Sequence, residues 1–155
     1  MKKRNVAVID VGSNTIKLLV ARGAPNEPLE VAHQASIPTR IGSGIGCDNP
    51  ALTEESMKAG IITIAELLDE AEAHGPDFIR LVATGAVRDA SNGKYFTTCV
   101  EEATSHPLAI LSGEEEAKGI ASGLLTDPSL NGQDNFLACD LGGGSLELVL
   151  VEGRS

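Results

Sequence analysis

Asp140-Leu141-Gly142-Gly143-Gly144-Ser145 joins two apolar runs, residues 136–139 before it and 146–151 after it. Glycine costs backbone entropy and fills no core volume, so a strand ending in an acid and three glycines is not built for packing. Three glycines let backbone N–H groups approach something bulky and anionic. The acid before them is placed to hold a metal beside that anion. The stretch reads as one half of a clamp for phosphate and magnesium.

The other half lies near the opposite end of the chain. Ile9-Asp10-Val11-Gly12-Ser13-Asn14-Thr15-Ile16-Lys17-Leu18-Leu19-Val20 repeats the layout: apolar strand, acid, small-residue turn, second apolar strand bearing a charge. Asp10 falls on Asp140, Gly12 on Gly142, Lys17 on Glu147 and Leu18 on Leu148. Two copies of one strand-turn-strand unit imply a duplicated architecture with a ligand between the copies, against the plain alternative of a chance match over a short span.

The whole chain sets bounds on this reading. Its 155 residues and 42% hydrophobic content suit a globular domain with its own core. No apolar stretch approaches a membrane span, and no secretory segment follows Met1-Lys2-Lys3-Arg4, so no membrane partner is expected. Cys47, Cys99 and Cys139 form an odd, scattered set without metal spacing, which points to reduced thiols in a cytoplasm, Cys99 and Cys139 in the core. The net charge of −10 excludes a general nucleic-acid binder but not a polyphosphate or nucleotide, which a metal and a few donors can hold.

In order, the pattern predicts strands over 6–11 and 15–21, joined by a Gly12-Ser13-Asn14 turn in which positive φ is expected. A third strand follows over 29–39. The glycine-rich loop Arg40-Ile41-Gly42-Ser43-Gly44-Ile45-Gly46 lacks the Lys-Ser/Thr of a P-loop. Thr53 caps a helix with Met57, Ile61, Ile64, Leu68 and Ala71 on its buried face, stopped by Gly75-Pro76. A buried strand over 78–83 leads into a loop carrying Arg88, at the strand end where open sheets place ligands. A surface arginine paired with Asp89 is the plainer account of Arg88. Asn92 caps the next helix, with Phe96, Cys99, Val100 and Ala103 inward. After a short strand over 108–111, Ser112 and Glu115 form a capping box and Ala117, Ile120, Ala121 and Leu124 face the core. Glu116 reads, on pattern alone, as a surface glutamate favoured by the helix dipole. Residues 127–134 read as a linker.

The second hairpin has no further strands after it, so its edges are exposed. The expectation is a fragment: domain I over residues 1–130, then a linker and the opening hairpin of a truncated domain II over 131–155. Docking of the hairpin in cis, or swapping between chains as a homodimer, is the alternative.

Four motifs, Asp10-Val11-Gly12-Ser13-Asn14, Ala83-Thr84-Gly85-Ala86-Val87-Arg88, Leu111-Ser112-Gly113-Glu114-Glu115-Glu116-Ala117 and the 140–145 stretch with Glu147, appear in this order. With them the chain resembles the exopolyphosphatase and guanosine pentaphosphate phosphohydrolase family. That family belongs to the superfamily of acetate kinase, sugar kinases, heat-shock chaperones and actin. The resemblance implies an α/β fold, a ribonuclease-H-like mixed sheet with flanking helices, and a cleft between two such domains. It implies that Glu116 activates water on the terminal phosphate and that Arg88 neutralises that phosphate. Asp140 and Glu147 would bind Mg2+, with Asp10 in the equivalent place of the first copy. Gly12, Ser13 and Asn14 would form one phosphate loop, and Gly142, Gly143, Gly144 and Ser145 the other. Lys17 would lie beside the substrate. The implied activity is release of terminal phosphate from inorganic polyphosphate or guanosine pentaphosphate, the latter tying it to the stringent response. A phosphate-binding regulatory module and a phosphotransferase of the same superfamily are the alternative readings.

Overall fold

The computed structural model describes residues 2–24, 27, 29–43, 45, 48, 50–130, 132–133, 135–142 and 146–152, and of Glu147 the backbone alone. Within these residues β1 (Arg4–Val11), β2 (Thr15–Gly23) and β3 (Glu30–Pro38) precede α1 (Glu54–Glu72). Then come β4 (Phe78–Ala83), α2 (Gly85–Asp89), α3 (Gly93–Thr104), β5 (Leu108–Ile110), α4 (Gly113–Leu124), β6 (Asn135–Leu141) and β7 (Leu146–Glu152). Five strands form one mixed sheet in the order β3-β2-β1-β4-β5; β1, β4 and β5 pair in parallel, and β2 pairs antiparallel with both β1 and β3.

The pleat of β1 and β2 sorts core from site. Ala7, Ile9 and Val11 are fully buried, as are Ile16, Leu18 and Val20 on β2. They meet α1 and α3, whose Ile64, Leu67, Phe96 and Val100 complete the core. Each such large side chain contributes about 1.5–3 kcal/mol by leaving water. Because side chains alternate, Asp10 and Lys17, which are cross-strand partners, fall on the other face. The core thus fixes where the charged pair must point.

Several local expectations change. None of residues 12–14 adopts positive φ; the turn closes by Gly12 N–H donating to Thr15 C=O at 3.2 Å. On α1, capped by the Thr53 hydroxyl accepting from Ser56 N–H, the buried face includes the small residues Ser56, Gly60 and Thr63, while Met57 and Ile61 are only partly covered. Gly60 lies against Ile41 and Phe96, and a stripe drawn from large apolar residues misses such a close approach. The expected loop after β4 is the five-residue helix α2. Asn92 stands at the α3 N-cap position but makes no capping bond there. Its side chain instead accepts from Leu52 N–H and donates to Leu52 C=O, fastening the segment before α1. Phe78 is exposed, and only Leu81 and Ala83 of β4 are fully buried. Residues 128–130 form a 3-10 turn inside the expected linker.

β6 and β7 form a separate two-stranded sheet, with α4 packed against β7. No residue of α4 is fully buried; Ala117, Ile120, Ala121 and Leu124 are half-covered. Cys139 is exposed and Cys99 half-buried, so neither belongs to the core. Cys139 pairs with Leu148 on the outward face of the hairpin, whereas the strand's apolar composition alone suggested burial. The internal repeat is visible in the pairing itself. Asp10 pairs with Lys17 and Ile9 with Leu18; Asp140 pairs with Glu147 and Cys139 with Leu148.

Candidate active site

β1 and β4 run parallel and end side by side, which is where an open sheet leaves a crevice at its carboxyl edge. β1 exits into the turn at residues 12–14 and β4 into Thr84 and Gly85. The two exits are tied together: Thr84 N–H donates to Val11 C=O at 3.3 Å, and Ala86 N–H donates to Ser13 Oγ at 3.0 Å. Gly85 has φ +29°, and a Cβ there would stand 2.6 Å from Ser13 Oγ. Only glycine fits that contact and that backbone.

α2 then carries Arg88 to α4. Arg88 Nη1 donates to Glu116 Oε2 at 2.6 Å, and Arg88 Nε lies 3.5 Å from Asp89 Oδ1. The Glu116 partnership therefore dominates over the expected Asp89 pair. The side chains of Arg88 and Glu116 are 23% and 15% exposed, enough for a small substrate to reach and little enough to hold them in place. The Glu116 hydrogen bond raises Arg88 further above its ordinary value, so its charge is constant. Glu116 is aimed by the start of α4. Ser112 Oγ accepts from Glu115 N–H at 3.2 Å, and Ser112 N–H donates to Glu115 Oε2 at 2.8 Å. The capping box foreseen in the sequence fixes the first turn of α4, and Glu116 is the next residue.

These elements enclose a cavity of about 250 Å³. Asp10, Lys17, Glu116 and Asp140 line it, together with Gly12, Ser13, Asn14 and Gly142. Residues from both hairpins and from α4 thus meet in one place, and Arg88 reaches it through Glu116. Thr84 and Gly85 also line the cavity. Sequence reasoning gave them no site role, though they lie in the motif that supplies Arg88. Gly143, Gly144 and Ser145 fall outside the described residues. The backbone of Glu147 lies opposite Asp140, and its side chain is likewise outside them.

The charges in this cavity lean toward a cation. Burial pushes the Asp10 carboxyl above its ordinary value; Lys17 across the strand pair pulls it back, while Glu116 and Asp140 push it further. Asp10 Oδ1 is buried without a hydrogen-bond partner among the described residues. A carboxylate oxygen in that state is costly unless something positive meets it. No three His, Cys, Asp or Glu side chains among the described residues form a closed metal-binding group. Magnesium does not need one, since it keeps several waters and takes one or two carboxylates plus substrate phosphate. Asp10 and Asp140 fit that demand.

Comparison with known proteins identifies the family and the fold. A family model described as the Ppx/GppA phosphatase family matches residues 19–155. A guanosine-5'-triphosphate,3'-diphosphate pyrophosphatase of Pseudoalteromonas atlantica is 33% identical over 147 residues, covering 93% of this chain and 28% of the relative. The crystal structure of an Aquifex aeolicus Ppx/GppA family member superposes with a TM-score of 0.84 at 23% identity, over 99% of this chain and 49% of that one. An exopolyphosphatase from Cytophaga hutchinsonii gives a TM-score of 0.85 at 24% identity, over 99% and 48%. At these identities the two structures establish the fold. The chain spans under a third of the curated relative and about half of each solved chain.

Proposed function

The chain belongs to the Ppx/GppA phosphatase family, and from that premise we propose that it carries part of the machinery of a phosphoanhydride hydrolase. The substrates are inorganic polyphosphate and guanosine pentaphosphate, and the product is terminal phosphate. The observation that carries this reading is the meeting of Asp10, Glu116 and Asp140 around one cavity, with Arg88 held on Glu116.

Phosphoryl transfer depends chiefly on positioning and on neutralising charge. Ser13 and Asn14 line the cavity where the turn's backbone can meet phosphate oxygens, and Lys17 supplies a fixed positive charge. Arg88 Nη1 is committed to Glu116, and no hydrogen bond engages its Nη2 among the described residues. That nitrogen is the donor left for the terminal phosphate. Arg88 thus bridges the phosphate and the carboxylate. Glu116 Oε1 is the oxygen left to take the proton of the attacking water. Asp10 and Asp140 would hold Mg2+, which supplies charge neutralisation at the phosphate oxygens. The half-buried or exposed thiols of Cys99 and Cys139 suit a reducing compartment, in keeping with a cytoplasmic location.

The test is magnesium-dependent phosphate release and polyphosphate binding by this chain and by Glu116→Gln. Glutamine keeps an acceptor for Arg88 but no basic oxygen, so release should fall about 10²–10⁴-fold while binding persists. Unchanged release in the variant overturns the reading. Absence of both release and metal-dependent binding in the unsubstituted chain overturns it as well.

A further inference from the structure

A second cavity, of about 300 Å³, adjoins the first. The two share Ser13, Asn14 and Gly85 as a common wall. Beyond that wall the second is lined by Arg40, Ser43, Ile45 and Asp89. Its floor is fastened to the reaction turn. Arg40 N–H donates to Asn14 C=O at 2.8 Å, Gly42 N–H to Ser13 C=O at 2.9 Å, and Ser43 N–H to Arg40 C=O at 2.8 Å. A Cβ at Gly42 would lie 3.1 Å from the Ala86 side chain and 3.3 Å from Ser13 C=O, so the contact is close.

Arg40 holds φ at 51°, a conformation that non-glycine residues seldom adopt. It has no ion-pair or hydrogen-bonded side-chain partner among the described residues, on a chain of net charge −10. The neighbouring carboxylate, Asp89, is already near Arg88. The second cavity therefore presents an uncommitted guanidinium beside the turn that lines the first. A guanidinium is suited to phosphate because its planar donors can engage two oxygens at once.

Resting on the hydrolase reading above, we propose that this second cavity is the subsite for the leaving side of the substrate. Arg40 binds a phosphate of the chain that continues past the bond being broken. The terminal phosphate occupies the first cavity, and the chain crosses the wall formed by Ser13, Asn14 and Gly85. Polyphosphate and a nucleoside polyphosphate share this anionic chemistry. Arg40 is thus a substrate-binding residue that favours longer chains, and it takes no part in the bond change.

The experiment measures binding to the 155-residue chain in magnesium buffer by calorimetry, using inorganic phosphate, long-chain polyphosphate and guanosine pentaphosphate as probes. Arg40→Ala should weaken long-chain polyphosphate about tenfold or more and leave inorganic phosphate, which has no leaving side, within about twofold. Arg40→Lys should recover part of the loss and show a steeper dependence on salt. A loss for guanosine pentaphosphate alone would assign the cavity to the nucleotide and overturn the shared-subsite claim. Equal binding of every probe by Arg40→Ala and the unsubstituted chain overturns the inference and leaves the hydrolase reading intact. No binding of any probe by the unsubstituted chain overturns both. Circular dichroism on each variant shows whether the fold survives; if Arg40→Ala unfolds, Arg40→Gln replaces it, with the same expectation.

Discussion

Asp10 and Arg88 show how far single residues carry the argument. Asp10 was legible because an acid ending an apolar strand beside a glycine has no packing use. Its buried, partnerless Oδ1 adds the energetic half of that reasoning. Asp10→Asn should therefore raise stability by about 1 kcal/mol in metal-free buffer, since a neutral amide is cheaper to bury than an unpaired carboxylate. Magnesium should raise the Tm of the unsubstituted chain, and the same substitution should abolish that rise. Scanning calorimetry with chelator and with magnesium reads both; a large loss of stability without metal would show that Asp10 has a structural task. Arg88 was a candidate from its place after a buried strand, and its motif strengthened the reading over that of a surface charge. Its neighbour in sequence suggested Asp89 as partner, whereas folding brings Glu116, 28 residues away, to 2.6 Å. Sequence proximity cannot reveal a contact made between two helices. Arg88→Lys should lower phosphate release about 10²–10³-fold despite keeping the charge, because one ammonium cannot hold Glu116 and a phosphate in the same planar geometry. Steady-state rates of the variant decide it, and near-normal turnover would reduce Arg88 to a surface charge.

At the scale of elements, local chemistry was read well and tertiary override poorly. The α4 capping box follows from Ser112 and Glu115 being three residues apart, and it is present in full. The Asn92 cap was an equally sound local expectation, yet the side chain serves Leu52 instead, 40 residues away. The second hairpin's pairing was foreseeable because a fixed acid-glycine register specifies which residues face each other. What pattern could not supply was how much covers α4: periodicity marks an apolar face but not the depth of its burial. α4 matters because its first turn aims Glu116. Ser112→Ala should cost about 1 kcal/mol and lower phosphate release, with the loss of helicity confined to α4. Amide exchange locates that loss, and an effect spread over the central sheet would contradict it. The box is also sensitive to acid. Two hydrogen bonds from Ser112 hold the Glu115 carboxyl below its ordinary value. A depressed carboxyl stabilises the fold above its unfolded value, and that stabilisation disappears as pH falls through the folded value. Acid should therefore fray the start of α4 first, and Glu115→Gln, which can still cap, should remove this part of the pH dependence. Helical amide protection followed from neutral pH downward tests the point.

The whole molecule divides its stability unevenly, and the site straddles the division. The five-stranded sheet carries the core, from Ala7, Ile9 and Val11 to Phe96 and Val100. The β6–β7 hairpin leans on α4, which has no fully buried residue, and Val149 is the one described hairpin residue among the buried hydrophobics. Leu137, Leu141, Leu146, Leu148 and Leu150 are all more than half exposed. Asp10 therefore belongs to a rigid body and Asp140 to a loosely held one, although the same cavity contains both. Opening free energies follow buried contacts, so protection against exchange should be highest in β1, β2 and β4 and much lower in β6 and β7. Magnesium with polyphosphate should narrow that gap. A ligand held by both acids stabilises only the arrangement that brings them together, by an amount set by its concentration relative to Kd. The expected result is slower exchange in β6 and β7 on adding both, with little change in β1, which is already near the global limit. Asp140→Asn should cancel the effect in the hairpin. Equal protection of the two sheets without ligand would mean that α4 couples them more tightly than its burial implies. A ligand effect that survives Asp140→Asn would place the phosphate on the first hairpin alone.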